Sequence, residues 1–368
     1  MSGGLHFTNT YTRGGALIGE GVYGCAFTPP LKCRGKPKNP TNLVKRRVGK
    51  LTNDYDAYWE TTITTRLAQQ ALAKNYFILI EESCIPDKRN EQDEAELGEC
   101  KAIQGRKIKS FKQITMPYGG ISLTMAQINM AKFDIMSFTQ HLLEAGALLL
   151  LSGIVHSDLH TSNIVLDEFQ VPRLIDFGMA IIPETLDKNS FEFLRRQPDF
   201  QFNQEPPEMS YFWAAAAGVT DAETPYDIVN DKKIFKDIQG VLENRSPATE
   251  IEIFVSKSKA IQQKDGISLI KTYWPQYDAW SIGVVLVQLL RSLTMYREFQ
   301  QNPTYANNKE VLEKVLMGLT EASPMKRIDA IEALSILMAG GGAASESFVL
   351  TELAGEWLKQ RRQQRASL

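Results

Sequence analysis

The chain has 368 residues, a formal net charge of −2, and 43% hydrophobic and 23% charged residues. That is the composition of an ordinary globular protein, with no chain-wide basic excess of the kind that binds nucleic acid by bulk charge. Its most apolar stretch, residues 142–155, contains Glu144 and is too short to span a bilayer. Neither a nucleic-acid partner nor a membrane span is therefore expected.

The four cysteines are Cys25, Cys33, Cys84 and Cys100, and none forms a CxxC pair. The opening MSGGLHFTNT lacks a basic start followed by an apolar run. The expectation is an intracellular, cytoplasmic protein with reduced thiols.

In chain order, residues 16–27 read as strand, glycine turn and strand, and residues 42–48 as a third strand. Residues 54–75 read as a helix with an apolar stripe at Tyr55, Trp59, Ile63, Leu67 and Ala71. Residues 76–83 are strand-like, 86–99 read as a charged exposed loop, and 111–118 form another strand ending at Gly119-Gly120. Helical patterns then dominate, at 131–153, 279–293 and 307–319. A small-residue linker at 339–347 leads to a last helix near 348–360 and a basic, solvated tail.

GEGVYG at 19–24 lies between strand-like runs. A dinucleotide fingerprint needs a helix directly afterwards, whereas CAFTPP is strand-like and broken by proline. The glycines suit a flap whose backbone N–H groups approach phosphate oxygens, and equally a plain hairpin turn. Lys45 sits among Leu43, Val44 and Val48 on a partly buried strand. A phosphate-binding lysine needs a carboxylate to hold it; Glu60 is the best candidate, with Asp54 and Asp56 as alternatives.

Residues 154–180 carry the strongest pattern. Asp158 and Asn163 lie between Ile154-Val155 and Ile164-Val165, and Leu174-Ile175 then delivers Asp176. Two carboxylates and an amide on adjacent loops offer hard oxygen ligands for Mg²⁺ together with a base.

HSDLHTSN resembles the protein-kinase catalytic loop H-R-D-L-x-x-x-N, and Asp176-Phe177-Gly178 matches D-F-G. Ile18, Gly19, Glu20, Gly21, Val22, Tyr23, Gly24 and Ala26 fit the glycine-rich loop, with Ala26 in place of valine. Pro206-Pro207-Glu208 is similar to A-P-E, residues 277–290 to the D-x-W-S-x-G helix, and residues 323–334 to the late segment whose arginine, here Arg327, pairs with Glu208. The resemblance covers residues from about 16 to about 337 and is to eukaryotic-type protein kinases. The opening GEGVYGCAFTPPLKC is also similar to kinases of large nucleocytoplasmic DNA viruses, which implies a host cell or a virion as the setting.

This resemblance implies an α+β, two-lobed fold with ATP between the lobes: a β-rich lobe over 1–118 of about five strands and one helix, and a mostly helical lobe over 119–338. The latter carries an insert at about 209–276, and residues 339–368 form a terminal segment. It implies Asp158 as catalytic base, Lys45 on the α/β-phosphates oriented by Glu60, and Asn163 and Asp176 on Mg²⁺. Met116, Pro117, Tyr118 and Gly119 would meet the adenine, while His156, Phe177, Gly178, Glu208, Asp278 and Arg327 would be structural. The expected activity is γ-phosphoryl transfer to Ser or Thr of protein substrates, with a pseudokinase binding module and a small-molecule kinase as alternatives.

Three departures stand out. Ser157 replaces the arginine that docks a phosphorylated loop, His160 replaces the lysine common in Ser/Thr kinases, and about 70 positions separate Glu208 from Asp278. The long insert reads either as a docking element beside the peptide-binding face or as surface decoration.

Overall fold

The computed structural model describes residues 15–21, 24–35, 46–195, 201–218, 224–242, 247–340 and 347–366. The chain divides into two compact units, one of residues 1–68 and 78–119, the other of residues 69–77 and 120–368. It is an α+β protein, with an antiparallel sheet in the first unit and mostly helices in the second.

The first unit is built on β1 (Ala16–Gly21), β2 (Gly24–Thr28) and β3 (Arg47–Thr52), followed by α1 (Asp54–Leu67). After α2 (Ala73–Tyr76), which belongs to the second unit, come β4 (Glu82–Cys84), α3 (Glu94–Glu99) and β5 (Lys112–Pro117). The sheet order is β1-β2-β3-β5-β4.

Helix α1 starts because Asn53 Oδ1 accepts from the Asp56 N–H at 2.9 Å, and Asp54 and Asp56 place negative charge in its first turn. Its buried face is Ala57, Glu60, Ile63, Thr64 and Leu67, while Tyr55 is exposed. The expected stripe is thus rotated. Steps of four residues drift around a helix of 3.6 residues per turn, and alternating steps of three and four follow one face. The helix also ends at Leu67, short of the expected residue 75.

Two other expectations for this region are corrected. The strand expected at 76–83 is confined to Glu82–Cys84, because Tyr76 closes α2 and Phe77 bridges to Leu174 in the second unit. The charged stretch at 86–99 is largely exposed, as expected, but it is not all loop: it forms α3 and buries Gln92 and Leu97. Leu97 and, beyond the stretch, Cys100, Ile103 and Ile108 pack against Cys25, Phe27, Leu31 and Leu51. Gln92 is fully buried and pairs with Lys32 like a strand neighbour, accepting from its N–H at 2.9 Å and donating to its carbonyl at 3.0 Å.

The cysteines are also not free. Cys25 bonds to Cys100 and Cys33 to Cys84, across sequence separations of 75 and 51. The reduced-thiol expectation is therefore corrected: all four cysteines are paired.

In the second unit, β6 (Ile121–Ser122), β7 (Ile164–Leu166) and β8 (Pro172–Leu174) form a small sheet, with α4 (Ile135–Leu151) lying between β6 and β7 in the chain. Gly120 enters β6 at φ +125°, and a Cβ there would lie 1.8 Å from the Leu166 carbonyl oxygen, so only glycine fits. After α5 (Lys188–Arg195) and α6 (Pro207–Ala216), the insert folds as α7 (Pro225–Asn230), α8 (Lys233–Val241), α9 (Pro247–Lys257), α10 (Lys259–Gln262) and α11 (Gly266–Tyr273).

Helix α12 (Tyr277–Leu293) is apolar on nearly all sides and buried almost throughout. The chain ends in α13 (Arg297–Gln300), α14 (Pro303–Ala306), α15 (Lys309–Leu319), α16 (Ala330–Ala339), a π-turn at Val349–Leu353, and α17 (Gly355–Ala366). Gly146 of α4 faces Ile282 of α12 and Ala330 of α16, which lets these helices approach closely. Among the described residues no helix is long and apolar enough to cross a membrane.

Candidate functional site

The first unit carries the glycine hairpin and an ion pair. In the hairpin Gly21 stands opposite Gly24, while Val22 and Tyr23 lie outside the described residues. A Cβ at Gly24 would lie 2.0 Å from the Leu51 carbonyl oxygen, so the close strand contact needs glycine. The segment around α3 braces the hairpin. Leu17 N–H donates to Glu96 Oε2 at 2.9 Å, Lys101 N–H donates to Glu20 Oε1 at 2.6 Å, and Cys100 is bonded to Cys25.

Lys45 lies outside the described residues. The ammonium that Glu60 holds is that of Lys50, at 2.5 Å, with the Glu60 carboxylate almost fully buried. Lys50 stands opposite Ala26 on β2 and Ile114 on β5. Of the strand expected at 42–48, residues 42–45 lie outside the described residues; β3 runs over Arg47–Thr52 and carries an ion-paired lysine five positions farther along the chain. Lys50, between Val48 and Leu51, has much the same apolar flank as Lys45, so local sequence does not separate the two.

Beyond β5, Tyr118 N–H donates to the Arg46 carbonyl at 2.9 Å, and the Arg46 guanidinium lies 4.0 Å from the Tyr118 ring centroid. Met116 faces Val48 and Pro117 faces Arg47 across the sheet, and Gly119 ends the unit.

The second unit carries the polar loop at 156–163. Asp278, buried near the start of α12, accepts from the His156 N–H at 2.6 Å and the Ser157 N–H at 3.1 Å. Burial pushes the Asp278 carboxyl above the usual carboxylate range. Ser157 has φ +59°, and its hydroxyl donates to the Met179 carbonyl. The His156 ring meets Ile175 O through Nε2 at 3.0 Å and the Asp158 N–H through Nδ1 at 3.4 Å. Its Nδ1 therefore accepts and its Nε2 donates, which fixes the neutral tautomer.

Asn163 Nδ2 donates to the Asp158 carbonyl at 2.8 Å and to Asp158 Oδ2 at 3.1 Å. The Ile175 N–H donates to the Asn163 carbonyl at 3.0 Å, so the loop is tied directly to the residue preceding Asp176. Asp176 has φ +64° and accepts from the Gly178 N–H at 3.3 Å. Phe177 is buried between His156 and Phe77, with ring centroids 5.0 and 5.9 Å away.

Asp158 and Asn163 are thus bonded to each other, and Asp176 follows directly on the residue that bonds the Asn163 carbonyl. Because the Asn163 amide nitrogen is committed to Asp158, its side-chain carbonyl is the end left for a cation. With the carboxylates of Asp158 and Asp176 this is a hard-oxygen donor set of the type that suits Mg²⁺.

His160 sits beside Asp158. Its Nδ1 accepts from the Ser162 N–H at 3.2 Å, which leaves Nε2 as the donor, 3.7 Å from Asp158 Oδ1. Farther off, Arg327 donates from both terminal nitrogens to the two Glu208 oxygens at 2.8 Å, with both side chains buried. Arg327 also donates to the carbonyls of Glu321, Ala322 and Gln276. Sequence reasoning missed Lys232, a fully buried lysine within the insert. Nothing in its local sequence distinguishes it from a surface lysine.

No family model matches this chain, and no curated protein matches it.

Proposed function

We propose that this protein is an ATP-dependent protein kinase that transfers the γ-phosphoryl group to Ser or Thr hydroxyls. The observation that carries the reading is the bonding of Asn163 to Asp158, with the loop held by Asp278 at His156 and Ser157 and tied through Ile175 to the residue before Asp176. The ion pair of Lys50 with Glu60 adds a positioned cation for phosphate, and the role first read for Lys45 passes to Lys50.

In this mechanism Lys50, oriented by Glu60, takes the α/β-phosphates, and Met116, Pro117, Tyr118 and Gly119 meet the adenine. The Asn163 side-chain carbonyl and the Asp176 carboxylate would hold Mg²⁺, which supplies charge neutralisation at the phosphates. Asp158 accepts the hydroxyl proton as the substrate oxygen bonds to the γ-phosphorus. The bond from that phosphorus to the β–γ bridging oxygen breaks, and ADP leaves with the electron pair. The contributions of the protein are placement and charge.

His160 two residues after the base also suits small-molecule kinases. The buried Glu208–Arg327 pair, next to the segment that would receive a polypeptide, favours the protein acceptor. Transfer from radiolabelled ATP, compared between wild type and Asp158→Asn on casein and on the chain itself, tests the proposal. Phosphate on Ser or Thr from wild type alone is expected; a folded Asp158→Asn protein with wild-type activity would sink it.

A further inference from the structure

The segment that precedes α6 runs without regular structure, yet its carbonyls are held. Four successive carbonyls each accept from a buried side chain. Lys232 Nζ donates to Phe202 O at 2.7 Å, Trp280 Nε1 to Asn203 O at 2.9 Å, Ser281 Oγ to Gln204 O at 2.9 Å, and Lys232 Nζ again to Glu205 O at 3.0 Å. The Lys232 ammonium also donates to Ser210 Oγ at 2.7 Å. The Asn203 side chain accepts from the Ile234 N–H at 3.2 Å, so the start of α8 holds the same segment.

Burying an ammonium is costly unless its donors are matched and a negative charge lies near. The donors are matched here: three acceptors surround Nζ. The neighbouring Glu205 carboxyl, whose pKa burial raises, is held by Trp213 Nε1 at 3.0 Å and the Tyr277 hydroxyl at 2.8 Å. The segment reaches the polar loop directly, since the Phe202 ring meets His160 edge-on with centroids 6.0 Å apart. His160 in turn lies against Asp158. At the other end of the 176–208 stretch, the Ser157 hydroxyl holds the Met179 carbonyl. Each of these contacts comes from a group that needs no modification to make it.

We propose that Lys232 is a positioning residue for phosphoryl transfer: from within the insert it locks residues 202–210 into the surface that presents a polypeptide hydroxyl to Asp158, so that no phosphorylation of this stretch is required. This rests on the phosphoryl-transfer reading above. It also gives the insert a definite task, since Lys232 lies between α7 and α8, and α8 packs on α12, the helix that supplies Trp280 and Ser281.

The test uses the full chain after phosphatase treatment, with dephosphorylated casein as acceptor, and compares wild type with Lys232→Met, Lys232→Arg and Ser210→Ala. MgATP affinity, kcat and KM for casein, and amide exchange over residues 201–210 are measured on each. Treated wild type should keep its rate. Lys232→Met should lose at least about tenfold in kcat/KM for casein while MgATP affinity stays within about twofold, with faster exchange confined to 201–210. Lys232→Arg should recover part of the loss, and Ser210→Ala, which keeps the ammonium, should fall between. If Lys232→Met does not fold, Ser210→Ala decides through the same split between casein and MgATP. The proposal is overturned if the variants match wild type on casein, or if phosphatase treatment itself silences wild type. Wild type that binds MgATP but transfers phosphate to neither casein nor itself overturns the kinase reading, and this inference with it.

Discussion

The Lys50 ammonium lies 2.5 Å from Glu60 Oε1, joining the third strand of the sheet to the buried face of α1. The Glu60 carboxylate could not stay buried on that face without a cation. The pair therefore fixes how α1 sits on the sheet and where the ammonium points.

Lys50→Met should abolish phosphoryl transfer, by at least about a hundredfold, whereas Lys45→Met should stay near wild type. Because the change takes a cation away from the buried Glu60 carboxylate, it should also destabilise the first unit by about 1–3 kcal/mol. Radiolabelled transfer and thermal melts of the two variants side by side check both expectations. Equal loss in Lys45→Met would return the role to that residue.

The contrast between these two lysines marks what the sequence reveals. The polar loop was legible because its groups are close in the chain. Asp158, Asn163 and Asp176 fall within 19 consecutive positions (158–176), and short apolar runs on either side announce the strands that hold them. The long helices were legible through their period, with ends placed within a few residues at α4, α12 and α15. Lys50 was not, because strand register is set by distant partners: Arg47 opposite Pro117 and Lys50 opposite Ile114. The disulfide partners and the burial of Lys232 are non-local in the same way.

The bond between Cys25 and Cys100 closes a long loop and fastens the glycine hairpin to the segment after α3. Crosslinks across such loops contribute about 2–4 kcal/mol, mainly by restricting the unfolded chain. Cys100→Ser should lower the melting temperature of the oxidised protein and loosen the hairpin, seen as faster amide exchange over residues 16–28. Peptide mapping without reductant should recover the pairs Cys25–Cys100 and Cys33–Cys84. Recovery of four free thiols from protein kept away from reductant would refute the pairing.

His141 stacks on the Tyr76 ring at 4.5 Å and meets the Asn75 carbonyl at 3.0 Å. Burial pulls its pKa below 6.5, against the opposing pull of the Asn75 carbonyl, Glu144 and Asp167; Arg173 adds to the lowering. The folded state thus prefers the neutral ring, and the unfolded chain binds the proton more readily. The contribution is fully present above pH 6.5 and is lost as pH falls from there through the lower folded value. Denaturant titrations at a series of pH values should show this slope, and His141→Gln should flatten it. An unchanged slope would place the proton uptake elsewhere.

His160 stands where it can act on the Asp158 carboxylate, the base of the proposed reaction. With Nδ1 accepting from the Ser162 N–H, the Nε2 proton faces Asp158 Oδ1 at 3.7 Å. A lysine at this position would reach the same space with a permanent charge on a flexible stem. His160→Ala should therefore lower kcat by about tenfold with little change in MgATP affinity, because the lost interaction is with the base and the transferring group. His160→Lys should recover most of the rate. If His160→Ala instead weakens MgATP binding as strongly as it lowers kcat, the ring serves nucleotide binding and not the hydroxyl proton.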